Sequence, residues 1–132
     1  MQLLGIDYGK SKVGLALGDD ITKMAFGFNT IPNPGLEKLI NEIKKIVEEE
    51  GIDLIVIGKP INMEGKEEIP KDLQLFFDEL NAINSVVWQD ERLSTKQAEA
   101  MAKQIPGKPV KLKEIDDKLA AMVILQSYLD SL

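Results

Sequence analysis

The chain has 132 residues and a formal net charge of −6, and it contains neither cysteine nor histidine. This composition excludes disulfides, thiolate zinc sites, imidazole general bases and Ser-His-Asp triads, which leaves carboxylates, lysine, hydroxyls or an oxygen-bound metal such as Mg²⁺, Mn²⁺ or Ca²⁺. The excess of acidic over basic residues, taken alone, argues against non-specific nucleic-acid binding. The length predicts one domain over residues 1–132, and the lack of an apolar run of about 18 residues or of a signal peptide predicts a cytoplasmic protein without a membrane partner.

Three apolar runs near the N-terminus predict an antiparallel β-meander. They cover residues 2–8, 13–18 and about 24–31, and the short polar turns "DYGKSK" and "GDDITK" join them. The prolines of "IPNPG" then end the meander, because proline does not fit a central strand.

The remainder of the chain alternates helical and strand patterns. The apolar spacing predicts helices over residues 36–50, 71–80, 95–105 and 116–132, and strands over residues 53–58 and 85–92. Gly51 is the expected C-cap of the first helix. The order βββαβαβαα predicts an α/β fold with a five-stranded mixed sheet and helices on both faces.

Asp7 lies within the first predicted strand, on the face shared by Leu3 and Gly5. A buried lone carboxylate is costly unless it is paired, hydrogen-bonded or bound to a metal. Two explanations stay open at this point. Asp7 is either a strand-end residue that accepts hydrogen bonds from the amides of the next turn, or a metal ligand.

Asp90 and Glu91 end the fifth predicted strand, and strand alternation puts them on opposite faces. Asp90 shares the face of Trp88, which we expect to be a core residue rather than a platform for a nucleobase. Glu91 shares the face of Gln89. Sites in open α/β sheets form outside the carboxyl ends of strands, where both Asp7 and Glu91 fall. A solvated charge cluster is the alternative explanation for "DER".

Asp116 and Asp117 begin the last predicted helix, where acidic residues complement the helix dipole. Asp117 is in register with Ala121 and Ile124, at the centre of the apolar stripe, whereas Asp116 lies about a quarter of a turn away. Asp117 is therefore the residue predicted to face the sheet. The small side chain of Ala120, beside Ala121, lets the helix approach the sheet closely.

Three carboxylates that converge without a counter-charge repel one another, and a divalent cation removes that repulsion. Mg²⁺ or Mn²⁺ held by Asp7, Glu91 and Asp117 activates a water and stabilises the oxygens of an in-line phosphoryl displacement. The metal hypothesis depends on all three acids occupying their positions in this element order.

Four blocks of the chain resemble the signature blocks of the YqgF (RuvX) family, namely "LLGIDYGKSKVGLAL", "GKPINMEG", "DERLST" and "IDDKLAAMVILQSYLDSL". That family has the RNase H-like fold, is similar to RuvC-type Holliday-junction resolvases, and is described as processing pre-16S rRNA in ribosome biogenesis. The resemblance spans nearly the whole chain. It implies the same fold and a nuclease site of Asp7, Glu91 and Asp117, because the family's "D-x-x-A-A" block fits "DKLAA".

The resemblance also implies residues that support the site or contact substrate. Asp90, Arg92 and Thr95 fall in the "DERLST" block, and Asn62 and Gly65 match the loop after the fourth strand.

Lysines surround the predicted site in sequence. Lys10 and Lys12 flank the first turn, and Lys59 stands where the family's "G-x-P" usually has an apolar residue. The loop before the last helix, typically arginine-rich in the family, carries only Lys103, Lys108, Lys111 and Lys113. Lysine clamps phosphate less specifically than arginine does. A phosphate-binding rim and a set of solvated loop lysines are both compatible with this pattern.

The predicted function is a metal-dependent nuclease that acts on phosphodiester bonds in 5′-end processing of pre-16S rRNA, with structured RNA ahead of junction DNA as partner. One alternative is a Holliday-junction resolvase, which requires a two-fold dimer. Another is a non-catalytic RNA-binding assembly factor. "GIDYGKSKVGLAL" also resembles the first phosphate loop of actin-like ATPases and sugar kinases, although those proteins need two such domains. Monomer and homodimer both stay open.

Overall fold

A mixed β-sheet with helices on both faces forms the part of the chain that the computed structural model describes, residues 1–60, 68–90 and 117–132. The strands are β1 (Gln2–Tyr8), β2 (Lys12–Asp19), β3 (Ala25–Pro32), β4 (Leu54–Lys59) and β5 (Ser85–Asp90). The helices in these ranges are α1 (Leu36–Glu50), α2 (Lys71–Asn81) and α3 (Asp117–Asp130). Each agrees with its predicted element to within about two residues. The predicted helix over 95–105 lies outside the described residues.

The sheet has the order β3-β2-β1-β4-β5. The first three strands form the predicted antiparallel meander, and β1, β4 and β5 pair in parallel. Parallel neighbours require crossover connections, and α1 lies in the crossover from the meander to β4 while α2 joins β4 to β5. The carboxyl ends of β1, β4 and β5 consequently lie at one end of the sheet.

The two faces of the sheet bury separate cores, because successive side chains of a strand point to opposite faces. On the first face, which we call the α1/α2 face, Leu4 and Ile6 of β1 pack with α1 and α2. On the second, which we call the α3 face, Leu3 packs with α3. Full burial of such a leucine or isoleucine contributes about 1.5–3 kcal/mol.

Local chain chemistry ends α1 where the sequence predicts. Gly51 adopts a left-handed conformation, with φ 64° and ψ 45°, and its amide donates to the carbonyl of Val47. Only glycine takes this conformation without steric cost, so the predicted C-cap is confirmed.

Helix α3 lies close against the centre of the sheet. A Cβ atom added to Gly5 would lie 2.7 Å from Leu125 Cβ and 3.0 Å from the carbonyl oxygen of Ala121. Gln126 also joins the helix to the meander, since its side-chain oxygen accepts from the Ala25 amide at 2.9 Å and its Nε2 donates to the Lys23 carbonyl at 2.8 Å. Within the described ranges, no helix has the length and apolarity to cross a membrane.

Candidate active site

Asp7 lies one residue before the end of β1 and is half-buried. It alternates with Leu3 and Gly5 and so belongs to the α3 face. Its partner in the antiparallel ladder is Gly14 of β2. Directly opposed residues of such a pair carry their side chains on the same face, so the space above Gly14 adjoins the Asp7 side chain.

Asp117, the first residue of α3, fills the space above Gly14. A Cβ atom at Gly14 would overlap the backbone carbonyl of Asp117 and would lie 2.9 Å from Asp117 Cβ. Asp7 and Asp117 therefore border the same glycine on the same face, although they lie 110 positions apart in the chain. The helical wheel selected Asp117 over Asp116, and the structure brings Asp117 to the sheet at the carboxyl end of β1.

Sequence reasoning did not recognise two residues of this face, Gly14 and Thr30, and did not separate Lys12 from the other lysines. Gly14 permits the close approach of α3, and a glycine inside a strand pattern is the signal that indicates such an approach. Thr30 of β3 pairs with Gly14 from the other side, which places Asp7, Gly14 and Thr30 in one row across the sheet. Lys12 precedes Gly14 by two residues in β2 and shares its face.

The predicted third acid, Glu91, lies outside the described residues. The described part of strand β5 extends to Asp90. In β5, Val87 pairs with Val56 of β4, and both pack on the α3 face. Gln89 alternates with Val87, so it also belongs to that face. The expectation that Glu91 joins Asp7 and Asp117 stays a prediction.

Lys59 and Lys10 belong to the opposite face of the sheet end. Lys59 pairs with Asp90 and alternates with Ile57, which packs in the α1/α2 core. Lys10, on the turn after β1, lines a pocket on that same face together with Tyr8. Among the three lysines in the described ranges that were predicted to contact substrate, Lys12 is the one on the face of Asp7 and Asp117.

Trp88 is half-buried and contributes to core packing, as predicted. Its ring stacks on Phe77 of α2 at a centroid distance of 4.2 Å and an interplanar angle of 6°. Both rings pack against the α1/α2 core.

The other predicted residues stay predictions because they lie outside the described ranges. They are Asn62, Gly65, Arg92, Thr95, Lys103, Lys108, Lys111, Lys113 and Asp116.

The acidic side chains near Gly14 are of the chemical type that binds a hard divalent cation. In residues 1–60, 68–90 and 117–132, no group of three or more acidic side chains converges. Asp7 and Asp117 supply two carboxylates beside Gly14, and oxygen donors of this kind suit Mg²⁺ or Mn²⁺. A third carboxylate would have to come from the rest of the chain, as predicted for Glu91.

Two solved structures similar in fold to this chain are a bacterial RuvC and a viral resolvase. RuvC from Thermus thermophilus matches with a TM-score of 0.63 at 11% identity, over 99% of this chain and 95% of that one. The Fowlpox virus resolvase in complex with Holliday junction DNA matches with a TM-score of 0.62 at 13% identity, over 99% and 98%. These likenesses confirm the predicted RNase H-like fold. A ROK family protein from Streptococcus pneumoniae matches more weakly, with a TM-score of 0.51, over 39% of its own chain.

Sequence relatives are more similar and extend over nearly the full length. A protein of Chloroflexus aggregans named "Putative pre-16S rRNA nuclease" is 38% identical over 98% of this chain and 93% of its own. A protein of the same name from Carboxydothermus hydrogenoformans is 38% identical over 98% and 96%. The family model RuvX, described as a Holliday junction resolvase, matches residues 1–131. This chain therefore belongs to the RuvX family.

Proposed function

We propose that this protein is a metal-dependent nuclease that hydrolyses phosphodiester bonds in structured RNA, during 5′-end processing of pre-16S rRNA. The observation that carries the proposal is the position of Asp7 and Asp117 around Gly14, at the carboxyl end of β1. Open α/β sheets bind their ligands at such ends. We place this activity in the cytoplasm and in one domain.

The residues of the proposed site have two roles. Asp7, Asp117 and Glu91 would hold Mg²⁺ or Mn²⁺ with their carboxylate oxygens. Such an ion, when bound, would supply Lewis-acid stabilisation of charge on the phosphate oxygens and would lower the pKa of a water. Lys12, on the same face, neutralises a phosphate of the substrate and fixes its position. The absence of histidine from the chain is compatible with this chemistry, because no step requires imidazole.

Relatives that extend over nearly the whole chain carry the pre-16S rRNA nuclease name, and this supports RNA as the substrate. The description of the family model and the Holliday junction in the Fowlpox virus structure favour junction DNA as a second candidate. A junction resolvase must cut two symmetric strands, which requires a two-fold dimer. The RNA proposal has no such requirement.

The test is cleavage of a labelled RNA that spans the 5′ leader of pre-16S rRNA, in Mn²⁺ and at low salt. A four-way DNA junction serves as the second substrate. Wild type is compared with Asp7→Asn, Asp117→Asn and Glu91→Gln, and Mn²⁺ affinity is measured for each by electron paramagnetic resonance. Asp78→Asn is the matched control, because Asp78 is an exposed residue of α2 on the other side of the sheet.

We expect wild type and Asp78→Asn to cut the RNA and to bind Mn²⁺ equally. We expect the three site variants to lose both properties. Cleavage of the junction alone would replace the RNA proposal with the resolvase. RNA binding by all variants without any cleavage would show instead a non-catalytic assembly factor.

A further inference from the structure

A small pocket opens on the α1/α2 face, at the same end of the sheet as Asp7. Its cavity volume is about 260 Å³. Tyr8, which contributes to its wall, directly follows Asp7 in β1, so the two Cα atoms are about 3.8 Å apart while the side chains point to opposite faces. The pocket and the candidate active site therefore lie back to back across one strand end.

The pocket contains a carboxylate that can accept further hydrogen bonds. Tyr8 donates its hydroxyl to Oδ2 of Asp72, in the first turn of α2, at 3.1 Å. A carboxylate offers about four lone-pair sites, so this bond leaves acceptor capacity facing the cavity.

The pocket also carries a cation on an anchored turn. Lys10 is the middle residue of the turn between β1 and β2. Asn33 holds both sides of that turn, because its Nδ2 donates to the Gly9 carbonyl at 2.8 Å and its backbone amide donates to the Ser11 carbonyl at 2.9 Å. Asn33 Oδ1 in turn accepts from the Gly35 amide at 3.1 Å. The backbone under Lys10 is therefore fixed relative to the pocket.

Two leucines supply the apolar wall. Leu36, the first residue of α1, is half-buried, and Leu75 of α2 is 53% exposed. Pockets for drug-sized ligands start at about 300 Å³, so this cavity suits a smaller unit with a flat apolar part, an anionic part and a hydrogen-bond donor. A single nucleotide has all three.

We propose that this pocket takes one nucleotide of the substrate strand, next to the phosphate that is cut. Lys10 contacts the nucleotide's phosphate, Leu36 and Leu75 pack against its base, and Asp72 accepts a hydrogen bond from a donor on the sugar or the base. A nucleic-acid strand that passes over the turn between β1 and β2 contacts Asp7 on one face of the sheet and the pocket on the other. The inference rests on the proposed function for the identity of that strand.

The test is an NMR titration of the full chain with each of the four ribonucleoside 5′-monophosphates, without divalent metal, and separately with inorganic phosphate. We expect saturable amide shifts at Lys10, Gly35 and Leu75 with at least one nucleotide and not with phosphate. Asp72→Asn and Lys10→Gln are each expected to weaken binding about tenfold, since each removes one charged partner. Asp78→Asn, on the same helix, is the matched control and should bind as wild type does.

Absent shifts at millimolar nucleotide, or the same shifts with inorganic phosphate, would overturn the pocket proposal. Unchanged affinity in both Asp72→Asn and Lys10→Gln would overturn it as well, because a purely structural Tyr8–Asp72 contact affects stability and not nucleotide affinity. The two proposals fail separately. RNA cleavage without nucleotide binding refutes the pocket alone, and nucleotide binding without RNA cleavage refutes the nuclease alone.

Discussion

Replacing Gly14 with alanine tests the packing that brings Asp117 to Asp7. The added methyl would overlap the backbone carbonyl of Asp117, so the start of α3 must move by on the order of 1 Å. Overpacking of this kind costs about 1–3 kcal/mol of unfolding free energy. A misplacement of that size in a catalytic group costs about 100-fold in rate. We therefore expect Gly14→Ala to stay folded, with a modest loss of stability and a large loss of cleavage.

Gly27→Ala is the matched control. Gly27 lies in β3 on the same face, but the three atoms nearest its added Cβ all belong to the Lys118 side chain, with Cγ at 2.7 Å and Cδ at 3.1 Å. A lysine side chain can rotate away, whereas a helix backbone cannot move alone. Alanine also recovers about 0.5–1 kcal/mol relative to glycine inside a strand, which offsets part of the remaining strain.

Each variant is characterised by three measurements, namely urea unfolding, Mn²⁺ affinity and cleavage of the pre-16S leader RNA. We expect Gly14→Ala to lose stability, metal affinity and cleavage, and Gly27→Ala to retain all three. Mn²⁺ affinity and cleavage at wild-type levels in Gly14→Ala would refute the reasoning, because the position of Asp117 over Gly14 would then be irrelevant to the site.

The remaining predictions concern stability. Hydrogen bonds from the Thr22 amide and hydroxyl hold the pKa of Asp19 below its usual range. The ionised Asp19 carboxylate therefore stabilises the fold above about pH 4, and this contribution is lost as the pH falls through the lowered pKa. The difference in unfolding free energy between wild type and Asp19→Ala should accordingly narrow from pH 7 to pH 3. Phe77→Leu removes the ring that stacks on Trp88 and should lower the unfolding free energy by about 0.5–1.5 kcal/mol beyond the loss of buried apolar area. It should also shift the fluorescence emission of the single tryptophan, and an unchanged spectrum would contradict the stacking contact. Asn33→Ala should lower the unfolding free energy by about 1 kcal/mol, because it removes the hydrogen bond that anchors the turn with Lys10. Thermal unfolding measures this loss, and an unaltered midpoint would contradict the anchoring.

The elements of this fold were predictable because their signals are local. Alternating or continuous apolar residues over five to eight positions define each strand, and Gly51 marks the end of α1. The same local patterns put Asp7 on one face of β1 and Asp117 in the apolar stripe of α3. Neither inference required knowledge of what lies across the sheet.

The parts that were not predictable depend on how distant elements meet. That Gly14 is the point where α3 touches the sheet follows from the docking of the helix, which no window of sequence contains. The contact of Tyr8 with Asp72 joins residues 64 positions apart. Lys10 and Lys12 looked alike in sequence, yet β2 begins at Lys12, so strand alternation fixes the face of Lys12 while Lys10 follows the turn to the pocket.

The distribution of the charges decides how the acidic chain would meet a nucleic-acid substrate. At the amino end of β1, Asp19 pairs with Gln2, Asp53 accepts from the Gln2 amide at 2.9 Å, and Asp20 forms an ion pair with the N-terminus. The lysines at positions 10, 12 and 59 lie at the carboxyl end instead. Asp7, Asp72, Asp90 and Asp117 lie at that end as well, so the three lysines alone do not make it positive. The total charge of −6 weakens binding in general, and a divalent cation held by Asp7 and Asp117 would offset part of the local repulsion of a phosphate chain, which the lysines would then attract.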